Sequence, residues 1–443
     1  MSHPLLRLYK NTLRVGKPVI KLALQNRLRQ GKEDPARINE RMGIASHPRP
    51  DGKLVWMHVA SVGEAQSIRI LIDEFLTSNP DLHILVTSGT RTSADLLTKT
   101  LPARAFHQYV PFDHPDWVRA FLDHWQPTMA LWVESELWPN LLMQVQKRRI
   151  PAALLNARLS FQSARNWSYS RGLLSELLAT FSVILCQSDT DKHYYEALGG
   201  RSVFTVGNIK FSAKSLPYSD DEYKTLSHAL SHRPTWIYAS THFDEESIAR
   251  DVHLSLKKDI PNLLTIIAPR HPERSDKIVE TISSPAINIT RRGAIEKKLP
   301  APDTDIYLVD TMGELGLFYK LTDIAMIGRS LSLDGGGGHN PLESMRLNAV
   351  TLFGPLIQNL KDIYDDVMTA NAGIRVADKQ ALYNAVHHLL TDEAHKQSMM
   401  NITASFINDR NKTLQNTLDE LEALCLEIGI TPPRSHLTYE GGA

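Results

Sequence analysis

Short apolar runs, each followed by a polar turn and an amphipathic stretch, recur in two series along this chain. In the first, Leu54 to Ala60, His83 to Thr87, Ala105 to Val110, Met129 to Val133, Ala152 to Leu155, Val183 to Cys186 and Ser202 to Val206 read as buried strands. In the second, Thr235 to Ala239, Leu263 to Ala268, Asp305 to Val309, Ile324 to Ile327 and Val350 to Phe353 read the same way. The stretches between them carry helical periodicity, including one amphipathic helix from Glu64 to about Leu76. Strands that alternate with helices build a parallel, doubly wound sheet, whose ligands sit beyond the carboxyl ends of the strands. At 443 residues the chain exceeds one ordinary core. The polar stretch Ser215 to Ser231 reads as the connector between two such domains, and Leu382 to Ile428 as helices, one of them crossing back to the first domain. Residues 431–443 read as a tail.

Lys+Arg and Asp+Glu both number 49, so global charge names no partner and gives no case for nucleic acid. Cys186 and Cys425 lack metal-type spacing and read as reduced structural thiols. No apolar run reaches the length of a membrane span. The charge is local instead: residues 1–53 hold twelve Lys/Arg against four Asp/Glu, a net +8. Arg7, Lys10, Arg14, Lys17 and Lys21 fall on one helical stripe, with Leu6, Tyr9, Leu13, Ile20 and Leu24 on a neighbouring face. A basic amphipathic helix of this kind fits an anionic membrane surface, and equally a helix packed on its own domain, with Pro18 as a break or kink.

The candidate chemistry gathers just past strand ends. Glu64 follows a glycine after the first strand and fits either a general base or a first-turn acid on a helix dipole. Glu134 and Glu136, two apart, project to one side if their strand continues. Lys210 also follows a strand, while Lys147, Arg148, Arg149, Arg158 and Arg165 suit an acidic substrate or an ordinary surface. In the second series, Gly335 to Gly338 run into His339, Asn340, Pro341, Leu342 and Glu343. Asn340 suits an N-cap, Pro341 the first helical position and Glu343 the third. A glycine loop feeding a helix start offers uncovered N–H groups to a phosphate, with Arg270 as a charge clamp and Glu343 left to hold a ribose hydroxyl. Thr311 and Glu314 form a second capping box. Neither GxGxxG after a first strand nor GxxxxGK[ST] is present, which disfavours a dinucleotide fold and a P-loop ATPase. Two α/β halves facing a cleft form an architecture suited to nucleotide-sugar chemistry.

Six stretches, in this order, resemble the bacterial 3-deoxy-D-manno-octulosonic acid (Kdo) transferases of lipid A biosynthesis. They are His58 to Glu64, Glu134 to Asn140, Asn156 to Ser160, Pro269 to Arg274, Asp310 to Gly316 and Gly338 to Glu343, and the resemblance covers roughly residues 5 to 410. It implies the GT-B fold, two Rossmann-like domains facing a central cleft behind a basic amphipathic N-terminal helix. It implies transfer of Kdo from CMP-Kdo to lipid IVA, without metal or other cofactor, at the cytoplasmic face of the bacterial inner membrane. By motif, Glu64 corresponds to the general base and Glu134 and Lys210 to residues that stabilise the transition state. Pro269, Arg270, Met312, Gly313, Glu314, Asn340, Pro341, Leu342 and Glu343 correspond to the CMP-binding segments. The family's N-terminal anchor runs more continuously apolar than this one, which Arg14, Lys17 and Lys21 interrupt, so peripheral attachment to anionic lipid is expected. The expected division is a membrane-associating segment at 1–45, an acceptor domain at 46–215, a CMP-Kdo domain at 216–410, and a helix and tail at 411–443. Competing readings are another GT-B nucleotide-sugar transferase or epimerase with a soluble acceptor, and a nucleotide-binding module without turnover.

Overall fold

A computed structural model describes residues 4–134, 136–212, 215–230 and 233–435. Ser135, between the two acids, and the tail beyond residue 435 lie outside the described residues. The chain divides into two compact units, Met1–Ala213 with Arg410–Ala443, and Lys214–Asp409. The N-terminal segment and the C-terminal stretch, expected as separate pieces, thus both belong to the first unit.

The first unit is one sheet of seven strands: β1 (Leu54–His58), β2 (His83–Ser88), β3 (Ala105–Tyr109), β4 (Met129–Val133), β5 (Ala152–Ala157), β6 (Val183–Cys186) and β7 (Val203–Thr205). Their order is β3-β2-β1-β4-β5-β6-β7, and every pairing is parallel. Alternate residues of one strand feed opposite cores. Val55 and Met57 of β1 pack with Leu71, Phe75, Leu414, Leu418 and Leu421, whereas Trp56 packs with Phe121, Trp125 and Trp132. The leucines at 414, 418 and 421 belong to the helix Glu393–Glu427, whose last part closes one face of this sheet.

The second unit repeats the plan with β8 (Thr235–Thr241), β9 (Leu264–Pro269), β10 (Ile289–Arg291), β11 (Ile306–Leu308), β12 (Ile324–Ile327), β13 (Val350–Phe353) and β14 (Gly373–Arg375). The order is β10-β11-β9-β8-β12-β13-β14, again wholly parallel. Strand order reverses direction between β1 and β4 in one sheet and between β8 and β12 in the other, and those are the switch points where doubly wound sheets take their ligands.

Two expectations change here. The helix after β1 is two helices, Val62–Ser67 and Arg69–Ser78, which meet at the buried Ile68. At the N-terminus, helices Pro4–Val15 and Lys17–Arg29 are separated at Gly16, so Pro18 sits in the first turn of the second, where its missing N–H has no helical partner to lose. Leu6 and Leu24 are buried and Tyr9 donates to Asp113 Oδ2 at 3.1 Å, so the apolar face expected to meet a membrane packs on the protein. A second apolar set, Leu5, Leu8, Val15, Val19 and Leu22, faces outward beside Arg7, Arg14 and Lys21. Among the described residues no helix is long and apolar enough to cross a membrane.

The N-terminal segment is tied down by buried charge. Arg41 Nε donates to Glu33 Oε2 at 2.9 Å and its Nη1 to the Val110 carbonyl at 2.9 Å, while Nη2 reaches the Gly89 carbonyl. Arg27 donates to the other Glu33 oxygen at 2.7 Å. Losing Arg41 leaves the buried Glu33 carboxylate with Arg27 alone, which costs less than the ~3–5 kcal/mol of a wholly unpaired buried charge. Arg41→Met therefore lowers the thermal unfolding midpoint by several degrees, and adding Glu33→Gln to it recovers part of the loss. A double variant no more stable than the single one would show that the cost lies in lost packing instead.

Candidate active-site residues

In the first unit the chain leaves β1 through Val59 and Ala60 to Ser61, whose extended backbone and Oγ cap the helix Val62–Ser67 by accepting from the Glu64 N–H at 3.2 Å. Glu64, third in that helix, folds back: its Oε2 accepts from the Ala60 N–H at 2.7 Å and its Oε1 from the Ser61 hydroxyl at 2.8 Å. Burial pushes the Glu64 carboxyl up to about 7; the Ala60 N–H works against this, and the charge of Glu134 adds to it. A carboxylate so placed is poised to exchange a proton near neutrality.

Glu134 and Glu136 both act on Glu64 but hold different partners. β4 ends at Val133, and Glu134 takes a left-handed backbone (φ 61°), with its N–H bonded to the Leu155 carbonyl at 2.9 Å. The turn sends the two acids to different partners. Glu134 Oε1 accepts from Lys210 Nζ at 2.9 Å. Glu136 Oε2 accepts from Trp138 Nε1 at 3.2 Å and lies 3.5 Å from His58 Nε2. Burial would raise the Glu136 carboxyl, but His58 and Trp138 overcome it and hold it below its usual range. Lys210 is set by the turn Ile209–Ser212, where Ile209 N–H donates to Asn156 Oδ1 and Lys210 N–H to Asn208 Oδ1, both at 3.0 Å. Arg158 and Arg165 are exposed past β5. Lys147, Arg148 and Arg149 precede β5 and so lie at the opposite edge of the sheet from Glu64, which removes them from the acid cluster.

In the second unit Pro269 closes β9, and exposed Arg270 follows, its N–H donating to the Thr241 carbonyl at 3.1 Å. Met312 is exposed and Gly313 has φ 82°. Glu314 is committed: Arg292, itself buried, donates to its two oxygens at 2.8 and 2.7 Å, and Thr311 donates as well. Burial alone would raise this carboxyl, but Arg292 and Thr311 hold it down at about 2. Glu314 is the cap residue of the helix Leu315–Leu321, so the box expected from Thr311 reduces to a side-chain hydrogen bond.

The glycine loop departs furthest from expectation. Gly335, Gly336, Gly337 and Gly338 all have positive φ, from 62° to 124°, so the run serves backbone shape. Four of its N–H groups are already engaged: Gly336 donates to Asp334 Oδ1, Gly337 to the Leu356 carbonyl, Gly338 to that of Arg329 and His339 to that of Gly328. The helix that follows is the single turn Leu342–Met345, capped at Pro341, one residue later than expected. Asn340 Oδ1 still accepts from the Leu342 N–H at 3.1 Å. Burial pushes Glu343 up to about 7, with Arg270 near enough to oppose it.

The loop instead presents side chains, which sequence reasoning did not single out. His242, just past β8, makes a 2.8 Å contact from Nδ1 to Asp334 Oδ2 and a 3.0 Å contact from Nε2 to His339 Nε2. His242 is signalled by position alone, since it follows β8 at the switch point, whereas His339 lies in the stretch Gly338 to Glu343. A cavity of about 460 Å³ lies at the other edge of this sheet, beside Thr235 and Ile324. Its charged groups are already engaged, Arg233 with four carbonyls and Lys396 with Asp323 and Glu393.

Two doubly wound parallel units, each with its polar groups beyond the carboxyl ends of its strands, define the GT-B class. A family model described as 3-Deoxy-D-manno-octulosonic-acid transferase (kdotransferase) matches residues 36–213. A 3-deoxy-D-manno-octulosonic acid transferase of Rickettsia bellii (strain RML369-C) is 33% identical over 405 residues, 91% of this chain and 94% of that one. One of Haemophilus influenzae (strain ATCC 51907 / DSM 11121 / KW20 / Rd) is 33% identical over 395 residues, 87% of this chain and 91% of its own. MurG from Acinetobacter baumannii superposes with a TM-score of 0.52 at 11% identity, over 84% of this chain and 100% of that one, a likeness of fold alone. The chain belongs to the 3-deoxy-D-manno-octulosonic acid transferase family and is a glycosyltransferase.

A Cβ on Gly337 (φ 124°) would stand 2.2 Å from Asn359, whereas one on Gly335 (φ 101°) meets nothing within 4 Å. Both alanines strain the backbone, and only one adds a clash. Gly337→Ala is expected to destabilise by about 1–3 kcal/mol and Gly335→Ala by less, read as shifts in thermal midpoint. Equal shifts would show that the loop repacks freely.

Proposed function

We propose that the protein transfers Kdo from CMP-Kdo to lipid IVA, releasing CMP, with Glu64 as general base. The observation that carries the reading is Glu64 itself: a buried carboxylate at a switch point, held by two short hydrogen bonds and pushed up to about 7. In this reading the acceptor hydroxyl gives its proton to the Glu64 carboxylate as its oxygen attacks the anomeric carbon of Kdo. The bond from that carbon to the CMP phosphate oxygen breaks, and its electron pair leaves with CMP. Glu134 and Lys210, paired at 2.9 Å, are assigned the stabilisation of the transition state. The Kdo carboxylate and the leaving phosphate make the donor doubly anionic, which suits cationic neighbours.

The donor is assigned to the second unit. Arg270, exposed and near enough to act on Glu343 and His339, takes the phosphate in place of the N–H groups of Gly336, Gly337 and Gly338, which are engaged. Pro269, Met312, Gly313, Asn340, Pro341 and Leu342 shape the nucleotide segment through backbone and apolar contact. Glu314 serves it indirectly, by fixing the turn through Arg292. Glu343 is assigned a ribose hydroxyl.

A base must be ionised to accept a proton, so kcat/KM is expected to rise with pH through about 7 and to level off above it. Glu64→Gln should lose this rise together with about 10²–10⁴-fold of turnover, while CMP still binds. Normal turnover in Glu64→Gln would remove the base assignment, and no CMP binding by the unaltered protein would remove the donor.

Lipid IVA lies in a bilayer, and we assign peripheral attachment at the cytoplasmic face of the inner membrane to the outward set Leu5, Leu8, Val15, Val19 and Leu22 with Arg7, Arg14 and Lys21. Leu8→Ser/Val15→Ser/Leu22→Ser should reduce sedimentation with vesicles containing anionic lipid without moving the thermal midpoint. Unchanged sedimentation would exclude this face.

A further inference from the structure

Two imidazoles whose Nε2 atoms stand 3.0 Å apart must share one proton between them, since two facing N–H groups repel and two facing lone pairs leave the contact unmade. The carboxylate of Asp334 at 2.8 Å from His242 Nδ1 then fixes the rest. With the pair neutral, His242 carries its proton on Nδ1 and donates it to Asp334. His242 Nε2 therefore accepts from His339 Nε2–H, and His339 Nδ1 is left as an acceptor. Adding one proton reverses the central bond: His242 donates from both nitrogens, His339 accepts at Nε2, and its Nδ1 becomes a donor.

The surroundings decide which form the free protein holds. Arg270 and Arg329 act on His339, and Arg329 and His271 on His242, all disfavouring the added charge. Asp334 favours it. Glu245, also packed against the site, accepts from the backbone N–H groups of His242, Arg329 and Leu331, and the Tyr364 hydroxyl donates to the His339 carbonyl. Burial pushes both imidazoles down, His339 to about 4, so the neutral pair, which shows an acceptor, is the resting state. A phosphate requires donors, and its negative charge offsets that of the two guanidinium groups.

We propose that Asp334, His242 and His339 form a positioning chain that takes up one proton when a phosphate group binds beside Arg270, turning His339 from acceptor to donor toward that phosphate. This rests on the assignment of the nucleotide to the second unit. The proton comes from solvent and returns to it when the phosphate leaves, and no bond is broken in the protein.

Calorimetry of CMP binding to the full chain, in buffers of matched pH and different ionisation enthalpy, reads the number of protons taken up. Uptake should grow toward one per CMP as pH falls from about 8 to about 6. It should be lost in His242→Gln and reduced in Asp334→Asn, while Glu343→Gln, which removes a neighbouring carboxyl also able to take a proton, keeps the uptake that inorganic phosphate, a ligand without a ribose, elicits. Inorganic phosphate should reproduce the uptake and cytidine should not. Uptake that survives in His242→Gln, or phosphate-linked uptake that disappears in Glu343→Gln, overturns the chain and assigns the proton to the ligand or to Glu343. Phosphate-linked uptake without CMP binding sinks the nucleotide assignment and leaves the chain standing. CMP binding without uptake at any pH sinks the chain alone, and no binding of either ligand sinks both. Wild-type circular dichroism in His242→Gln ensures that a lost signal reports the proton and not the fold.

Discussion

Parallel pairing forces every strand of a sheet to end at the same edge, and this one constraint brings distant residues of each unit together. Glu64, Glu134, Asn156 and Lys210 are separated by as many as 146 positions, yet each lies at or past the carboxyl end of a strand of the first sheet. His242, Arg270 and the loop before His339 are gathered in the same way in the second. Because the strands are buried among apolar side chains, polar groups gather at the two edges where strands start and end, and those of the candidate site at the carboxyl one. The switch points then select, among all the strand ends, those where adjacent loops part and leave room.

Left-handed backbone occurs at that edge, as it does just before β4, β5, β7, β13 and β14 at the opposite one. Glu134, Asn156, Ser240 and Arg329 all adopt positive φ, a conformation that costs a residue with a side chain about 1–2 kcal/mol. Hydrogen bonds hold three of these four turns. Glu134 N–H reaches Leu155, Asn156 Oδ1 holds Ile209, and Arg329 N–H is held by Glu245 at 2.7 Å. Glu134, in its left-handed turn, is the acid that meets Lys210, while Glu136 meets Trp138 and His58.

The strands were legible because buried parallel strands are unbroken apolar runs, as with LVWMH, MALWV and VILC. β10 and β14 were not, because ITR and GIR are three-residue edge strands, half exposed and with one apolar residue each. The glycine loop was legible as a loop but not as a set of occupied donors. Its N–H partners are the carbonyls of Gly328, Arg329 and Leu356, and no local pattern announces them. Periodicity found a face on the N-terminal helices but not what that face would meet, since a stripe of Leu and Tyr suits a sheet edge as well as a lipid. The pairing of His242 with His339 joins positions 97 apart with no motif around the first of them.

Carboxylate environment separates scaffold from chemistry more sharply than residue type does. Glu314 is held at about 2 because Arg292 meets both its oxygens, and such an acid cannot move a proton at neutral pH. Glu64, Glu245 and Glu343 are all pushed to about 7 by burial without a guanidinium in contact, so a raised value alone does not mark a reactive group. What divides these three is what their oxygens already do. Glu245 binds three backbone N–H groups and so ties the ends of β8 and β12 together. Glu64 is held through one N–H and one hydroxyl that is free to rotate away when a better donor arrives. An acid kept protonatable, oriented, and attached to a partner able to let go has the properties that proton transfer to and from a substrate hydroxyl demands.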